Sequence, residues 1–394
     1  MSSCLAMWVG ADSIEPTPCP ASVALFWARN GTGIRFFSNL CAFSDDGCSN
    51  VRTGDAGRMP SGASGSTAPR YDGSKDGDRL DCRRHLPPAF LFSSFLQEHP
   101  MKLTRNQTFR ALFEKGPFVC MGAHDAITAK LAEECGAPAI FVSGFVACGI
   151  EAGEPDMGAL SQTQMFEHIR RVARATNLPI FADADTGYGG MLDVQRTMRL
   201  WEEAGASCLH LEDQALPKKC GHFAGKQLVP KLEMVQKLRA MLEARQDPDF
   251  FIVARTDAIA VNGIEDAVDR LAAYAEAGAD GLYADAPESL EHMNELVRRL
   301  KHFGKPLLFN MVTSGKSPVV SLAELKEMGF GFAICPVEPM LAMHKAVKNL
   351  MQTFYAQGCS TAAIADQLTS FEEYNKFVGL PEAVALEQKF TNVG

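Results

Sequence analysis

The sequence predicts a (β/α)8 barrel that follows an N-terminal extension of about 100 residues. Three observations carry this expectation. From Met101 onward, short apolar runs rich in β-branched and aromatic residues alternate with longer amphipathic stretches. The runs are continuous rather than alternating, as parallel strands buried on both faces must be. Glycines recur where a helix has to stop before a strand, as in the EAGA stretches at 203–206 and 276–279. Eight such units in about 240 residues is the arithmetic of a barrel. An open doubly wound sheet is the alternative, and the spread of polar residues over so many strand ends argues against it.

The elements follow in chain order. Strands are expected at 118–121, 139–143, 179–183, 208–211, 250–254, 281–284, 306–309 and 331–335, each a short apolar run. Helical spacing marks 126–135, 159–176, 192–204, 231–244, 264–277 and 290–303 between them. Residues 1–100 read differently. Between Thr53 and Arg79 the chain is rich in Gly, Ser, Asp and Pro and nearly devoid of large apolar residues. Such a stretch buries too little surface to offset its ordering entropy. The expected division is therefore 1–100 as a disordered extension and 101–394 as the catalytic barrel with its C-terminal helices. Met101 is a candidate true start, the upstream stretch then being an error of reading frame.

The formal charge of −9 and pI of about 5.6 argue against nucleic-acid partners. No apolar run reaches the roughly 18 residues of a membrane span. The 12 cysteines include no CxxC pair and no zinc-ligand spacing, which suits reduced thiols in a cytoplasmic compartment. Organelle targeting by the extension is the alternative. Asp12, Glu15, Asp45 and Asp46 are early acids that a transit peptide would lack.

In a barrel, chemistry gathers at the C-terminal strand ends. Those positions hold Ser143 and Gly144 after strand 2, and Asp183 and Asp185 after strand 3. His210, Glu212 and Asp213 follow along strand 4, Arg255 and Asp257 on strand 5, Asp285 on strand 6 and Asn310 on strand 7. One acid at a strand end is often a helix cap, a role open to Asp213 or Asp257. So many like charges at one mouth repel unless a cation sits among them. Mg²⁺, with Mn²⁺ as a substitute, takes oxygen ligands and keeps several waters. Asp183 and Asp185 are its candidate ligands, on one side of an extended strand end by period two. Glu212 can complete or support the shell. The segment 217–226 adds three lysines, His222, Cys220 and the hinge glycines Gly221 and Gly225. Its cations are expected to draw an anionic substrate and lower the pKa of the Cys220 thiol, and the segment has the length of a lid.

These stretches together resemble the isocitrate lyase/phosphoenolpyruvate mutase superfamily over about 104–389. They are Ser143, Gly144 and Phe145, then DADTGYG at 183–189, LEDQ at 211–214, KKCGH at 218–222, ARTD at 254–257, and Asn310 and Met311 with Gly315 and Pro318. The resemblance implies a barrel whose last helix is exchanged between neighbours in a homotetramer. It implies that backbone groups of Ser143, Gly144 and Phe145 hold a carboxylate, and that Asp183 and Asp185 hold Mg²⁺ directly or through water. Glu212 and Asp156 then form the outer shell, and Arg255 neutralises the substrate carboxylate and developing enolate. Cys220 is implied as the general acid, with Gly221 and His222 touching the departing acid.

Some positions depart from the methylisocitrate lyase pattern. Asp285 stands where a Glu ends strand 6, and Leu341 and Phe371 stand where arginines fall. Phe141 takes the place of a tyrosine found in some members. Fewer cations imply fewer carboxylates on the substrate. The expected function is a Mg²⁺-dependent carbon–carbon lyase acting on a 2-hydroxy di- or tricarboxylic acid by retro-aldol cleavage. Hydrolysis or decarboxylation of oxaloacetate in the same site is the alternative. Phosphonomutase chemistry is disfavoured by Cys220, and a non-catalytic binding barrel by the intact set of site residues.

Overall fold

The computed structural model describes residues 103–221 and 225–391, together with the backbone of short strands between positions 4 and 49. The chain divides into a unit of Met1–Phe92 and a unit of Ser93–Gly394. In the first, Ala24–Asn30 pairs antiparallel with Gly33–Ser38 and parallel with Cys4–Leu5, and Ala42–Ser44 pairs with Gly47–Ser49. Aromatic and β-branched residues such as Phe26, Trp27, Ile34 and Phe36 favour that hairpin. The rest of the expected disordered extension lies outside the described residues.

In the second unit eight parallel strands close on themselves. They are β1 (Phe118–Gly122), β2 (Ala139–Val142), β3 (Ile180–Asp183), β4 (Cys208–Glu212), β5 (Phe251–Thr256), β6 (Gly281–Ala284), β7 (Leu307–Asn310) and β8 (Phe332–Cys335). The ring shuts where Phe332 to Cys335 pair with Phe118 to Met121. All eight expected strands are present, displaced by at most two residues at an end. The expected helices are present too: α2 (Ala126–Glu134), α4 (Gln162–Ala175), α5 (Met191–Ala204), α6 (Lys231–Ala244), α7 (Ile264–Glu276) and α8 (Leu290–Leu300).

Local chemistry sets their ends. Asp125 caps α2 and Ser161 caps α4, each with a reciprocal bond from the third helical residue. Gly205 ends α5 at φ 92°, a left-handed turn that a side chain would strain. Several helices are absent from the sequence reading, among them Arg105–Leu112, Glu338–Ala356 and, next to the polar strand ends, α3 (Gly144–Ala152). The α3 sequence GFVACGIEA is apolar on nearly every side, so no helical period stands out.

Two cores result. Outward-facing strand residues such as Ile140, Val142, Leu209, Leu211, Ile252 and Leu282 pack against the helices. Inside the ring a second cluster is closed at the N-terminal mouth by α1 (Arg105–Leu112). From α1, fully buried Phe109 meets Phe118, Phe181, Phe251 and Phe332, with ring centroids 5.6 to 6.5 Å apart. This plug lies at the opposite end of the barrel from the polar strand ends.

Phe109→Ala is expected to destabilise the fold by about 3–5 kcal/mol, as a buried aromatic truncation does. Denaturant unfolding checks it. Loss below about 1 kcal/mol would show that the rings do not seal the barrel floor.

Candidate active site

Strand side chains alternate between faces. Inside the barrel, Phe141, Phe181, Cys208, Val253, Tyr283 and Leu308 belong to the inner apolar cluster. Two residues further along the same strands lie Ser143, Asp183, His210, Arg255, Asp285 and Asn310, and Glu212 follows His210. They are the top inward layer, and all seven line one cavity of about 240 Å³. That is below the roughly 300–1,000 Å³ of pockets for drug-sized ligands and suits a small acid.

Asp183 ends β3 and Asp185 follows in a left-handed conformation at φ 45°. The two carboxylates therefore do not share a side by strand alternation, as the sequence reading has it; a backbone turn brings them together. A Cβ on Gly144 would sit 3.0 Å from Asp183 Oδ2 and 3.1 Å from Asp185 Oδ1, so both crowd the start of α3. Gly144 N–H donates to Asp183 Oδ2 at 3.0 Å and Asp185 N–H to Asp183 Oδ1 at 2.9 Å. The Gly144 amide is thus committed within the protein. Ser143 and Phe145 line the cavity on either side of it, at a helix N-terminus that favours anions. Behind β3, Trp201 Nε1–H donates to the Asp183 carbonyl at 2.9 Å.

The basic segment after β4 is organised differently from the expectation. Lys218 is buried between Asp156 and Asp185, 2.6 and 2.5 Å from their Oδ1 atoms. Lys219 Nζ reaches the Gly225 carbonyl at 3.0 Å. Lys226 is buried and bonds Asp257 Oδ1 at 2.8 Å and the Gly221 carbonyl. The bonds of Lys218 and Lys226 are made inside the protein, where carboxylates and carbonyls with little water need cationic donors, whereas that of Lys219 is exposed. Cys220 and Gly221 line the cavity, and Cys220 N–H donates to the Asp156 carbonyl at 3.3 Å. His222 lies outside the described residues.

Arg255 is gripped from three sides. Asp257 accepts from its Nε at 3.0 Å and its Nη2 at 3.1 Å. Glu212 Oε2 lies 3.3 Å from Nε and Asp285 Oδ2 3.3 Å from Nη2. Tyr283 donates to Asp285 Oδ1, and its ring lies 5.2 Å from the guanidinium. Asp213 and Asp257 cap no helix. Asp213 accepts from Thr256, Tyr274, Arg270 and the Asp257 amide, fixing the end of β5. Sequence reasoning passed over Lys218 as a carboxylate partner and Tyr283 altogether. Only the alternation along β6, which points Tyr283 inward below Asp285, could have signalled the latter.

The charges do not balance evenly. Burial opposes ionisation of Asp183, but the His210 ring 2.9 Å away, Lys218 and Arg255 hold its carboxyl well below the usual range. Asp185 is pushed up by burial, against Lys218, with Asp183 and Asp156 adding to the rise. Glu212 is pushed well up by burial, against Arg255, with Asp257 and Asp183 adding. Buried Glu212 Oε1 has no hydrogen-bond partner. An all-oxygen donor set with an unpartnered carboxylate oxygen and two carboxyls that resist ionisation fits a hard divalent cation. Among the described residues no three acidic, His or Cys groups are arranged to enclose an ion. A cation that keeps much of its water and takes one or two carboxylates is compatible with that.

The family model of phosphoenolpyruvate phosphomutase matches residues 109–355. The chain is 38% identical to 2,3-dimethylmalate lyase of Eubacterium barkeri over 279 residues, 71% of this chain and 95% of that protein. It is similar in fold to oxaloacetate acetylhydrolase bound to 3,3-difluorooxalacetate, with TM-score 0.68 and 29% identity over 73% of this chain and 97% of the other. Phosphonopyruvate hydrolase in complex with oxalate and Mg²⁺ gives TM-score 0.65 and 30% identity over 74% of this chain and all of that one (100%). An eight-stranded barrel with acids, Arg255 and Cys220 around one small cavity, and this extent of matching, place the chain in the phosphoenolpyruvate mutase/isocitrate lyase superfamily of enzymes.

Proposed function

We propose that the protein is a Mg²⁺-dependent lyase that cleaves a carbon–carbon bond of a small 2-hydroxy dicarboxylic acid. The observation that carries this reading is the convergence of Cys220, Arg255, Glu212 and Asp183 on one small cavity. Asp183 and Asp185 would hold the ion, with Glu212 and Asp156 behind them. Bound there, Mg²⁺ supplies a Lewis acid for the oxygens of the substrate's keto-acid half.

The residues account for the rest. Retro-aldol cleavage gives the 2-hydroxyl proton to a base, makes that oxygen a carbonyl as the C2–C3 bond breaks, and leaves the bonding electron pair on the carbon beside the other carboxylate. Arg255, kept charged by its three carboxylates, offsets that developing charge. The backbone at Ser143 and Phe145 receives the keto-acid carboxylate. Cys220 delivers its thiol proton to the carbanion. Val312, Pro336, Val337 and Leu341 line the cavity. These apolar walls favour alkyl groups on the substrate over a third carboxylate.

Likeness to oxaloacetate acetylhydrolase supports a second reading, hydrolysis of oxaloacetate in the same cavity. Products separate the two. Supplied with 2,3-dimethylmalate, isocitrate, 2-methylisocitrate and oxaloacetate, the enzyme is expected to release a keto acid and a simple carboxylic acid from a hydroxy acid. Oxalate and acetate from oxaloacetate alone overturn the lyase reading.

The homotetramer with an exchanged last helix belongs to this proposal. Exposed Leu380, Val384, Leu386 and Phe390 on the last helix, Leu380–Thr391, are apolar surface that a neighbouring subunit would cover. Among the described residues no helix is long and apolar enough to cross a membrane.

Cys220→Ser is expected to lower kcat by at least about 10²-fold, the range of a positioned general acid, with unfolding unchanged. A wild-type rate removes the acid role. Asp185→Asn should raise the Mg²⁺ concentration for half-maximal activity at least about tenfold. Chelation should abolish activity, and Mg²⁺ or Mn²⁺ restore it. Unaltered Mg²⁺ dependence of the variant takes Asp185 out of the ion site.

A further inference from the structure

We infer that Lys226 is a positioning residue that pins Cys220 and Gly221 against Arg255. This rests on the proposed reading of the cavity, because it gives that pair a task in the reaction. Lys226, like Lys218, is a buried cation of this loop: its side chain is 1% exposed and its partner Asp257 is fully buried. A buried ammonium is costly unless paired and hydrogen-bonded, so its placement is tightly specified. It bonds two groups that belong to different parts of the site. Asp257 Oδ1 lies 2.8 Å away on the barrel rim, and the Gly221 carbonyl lies five residues back along the chain.

Each partner leads to a site residue. Asp257 also binds Arg255 through both carboxylate oxygens. Gly221 is pressed so closely on the rim that a Cβ there would meet the Asp285 carboxylate and stand 2.6 Å from Arg255 Nη2. One ammonium thus fixes the Cys220–Gly221 backbone and the carboxylate that orients Arg255 relative to each other. The proton donor and the group that receives the developing charge must be in register. A displacement of about 1 Å in such a pair costs up to about 10²-fold in rate.

The test uses the full chain. Lys226→Met is expected to lower kcat at least about tenfold and to raise amide exchange across 214–228, with exchange at the strands of the barrel floor unchanged. In a double-mutant cycle, Cys220→Ser should cost much less in the Lys226→Met background than alone, because the thiol is already misplaced. Lys226→Arg, which keeps the charge and two donors, should recover part of kcat. If Lys226→Met does not fold, Lys226→Gln is read by the same measurements. Unchanged exchange across 214–228, or fully multiplicative costs in the cycle, overturns the pin. If Cys220→Ser alone proves silent, the acid reading fails and the exchange measurement still decides whether Lys226 pins the segment.

Discussion

The guanidinium of Arg255 lies within 3.3 Å of Glu212, Asp257 and Asp285, where little water reaches. Removing either side of such a buried pairing leaves an uncompensated charge, at a cost of about 3–5 kcal/mol. The arrangement of the mouth follows from meeting that demand. Asp257 shares its charge with Lys226, Asp285 takes the Tyr283 hydroxyl, and Glu212 keeps one oxygen without a partner. On the other side of the cavity Lys218 stands between Asp156 and Asp185 in the same way. The mouth is a lattice of alternating charges whose incomplete points face the cavity.

That lattice is tolerable because the remainder of the barrel is not polar. Below the top layer the inner cluster is almost entirely apolar, and Phe109 seals the floor. Dispersion and burial at one end supply stability that the crowded carboxylates at the other end diminish. The two ends are joined by strand alternation alone, since a residue two positions past an inner Phe, Val or Leu is necessarily inward and at the mouth. Stability and chemistry are thereby separated along the barrel axis, as in barrels generally.

The structure also bears on the four readings of function. A non-catalytic barrel would have little reason to bury so many acids around an unpartnered carboxylate oxygen and an accessible cavity. The proposed lyase and oxaloacetate readings would draw on the same charges, and Val312, Val337 and Leu341 line the cavity beside them.

The sequence by itself determined the barrel, because eight apolar runs and their intervening helical periods are local signals that tertiary contacts only reinforce. It also determined which residue types stand at the strand ends, since alternation and strand length fix those positions. It left α3 unread, because a short stretch apolar at nearly every position shows no helical period. Tertiary structure alone decided the partners. The turn at Asp185, the commitment of Gly144 N–H to Asp183, and the burial of Lys218 and Lys226 join residues from separate strands and loops. Lysines in a Gly-containing loop look like solvated cations until the folded chain shows which carboxylates lie beneath them. Pairing of charges is a property of distance in space, and sequence spacing encodes that distance only within a helix or a strand.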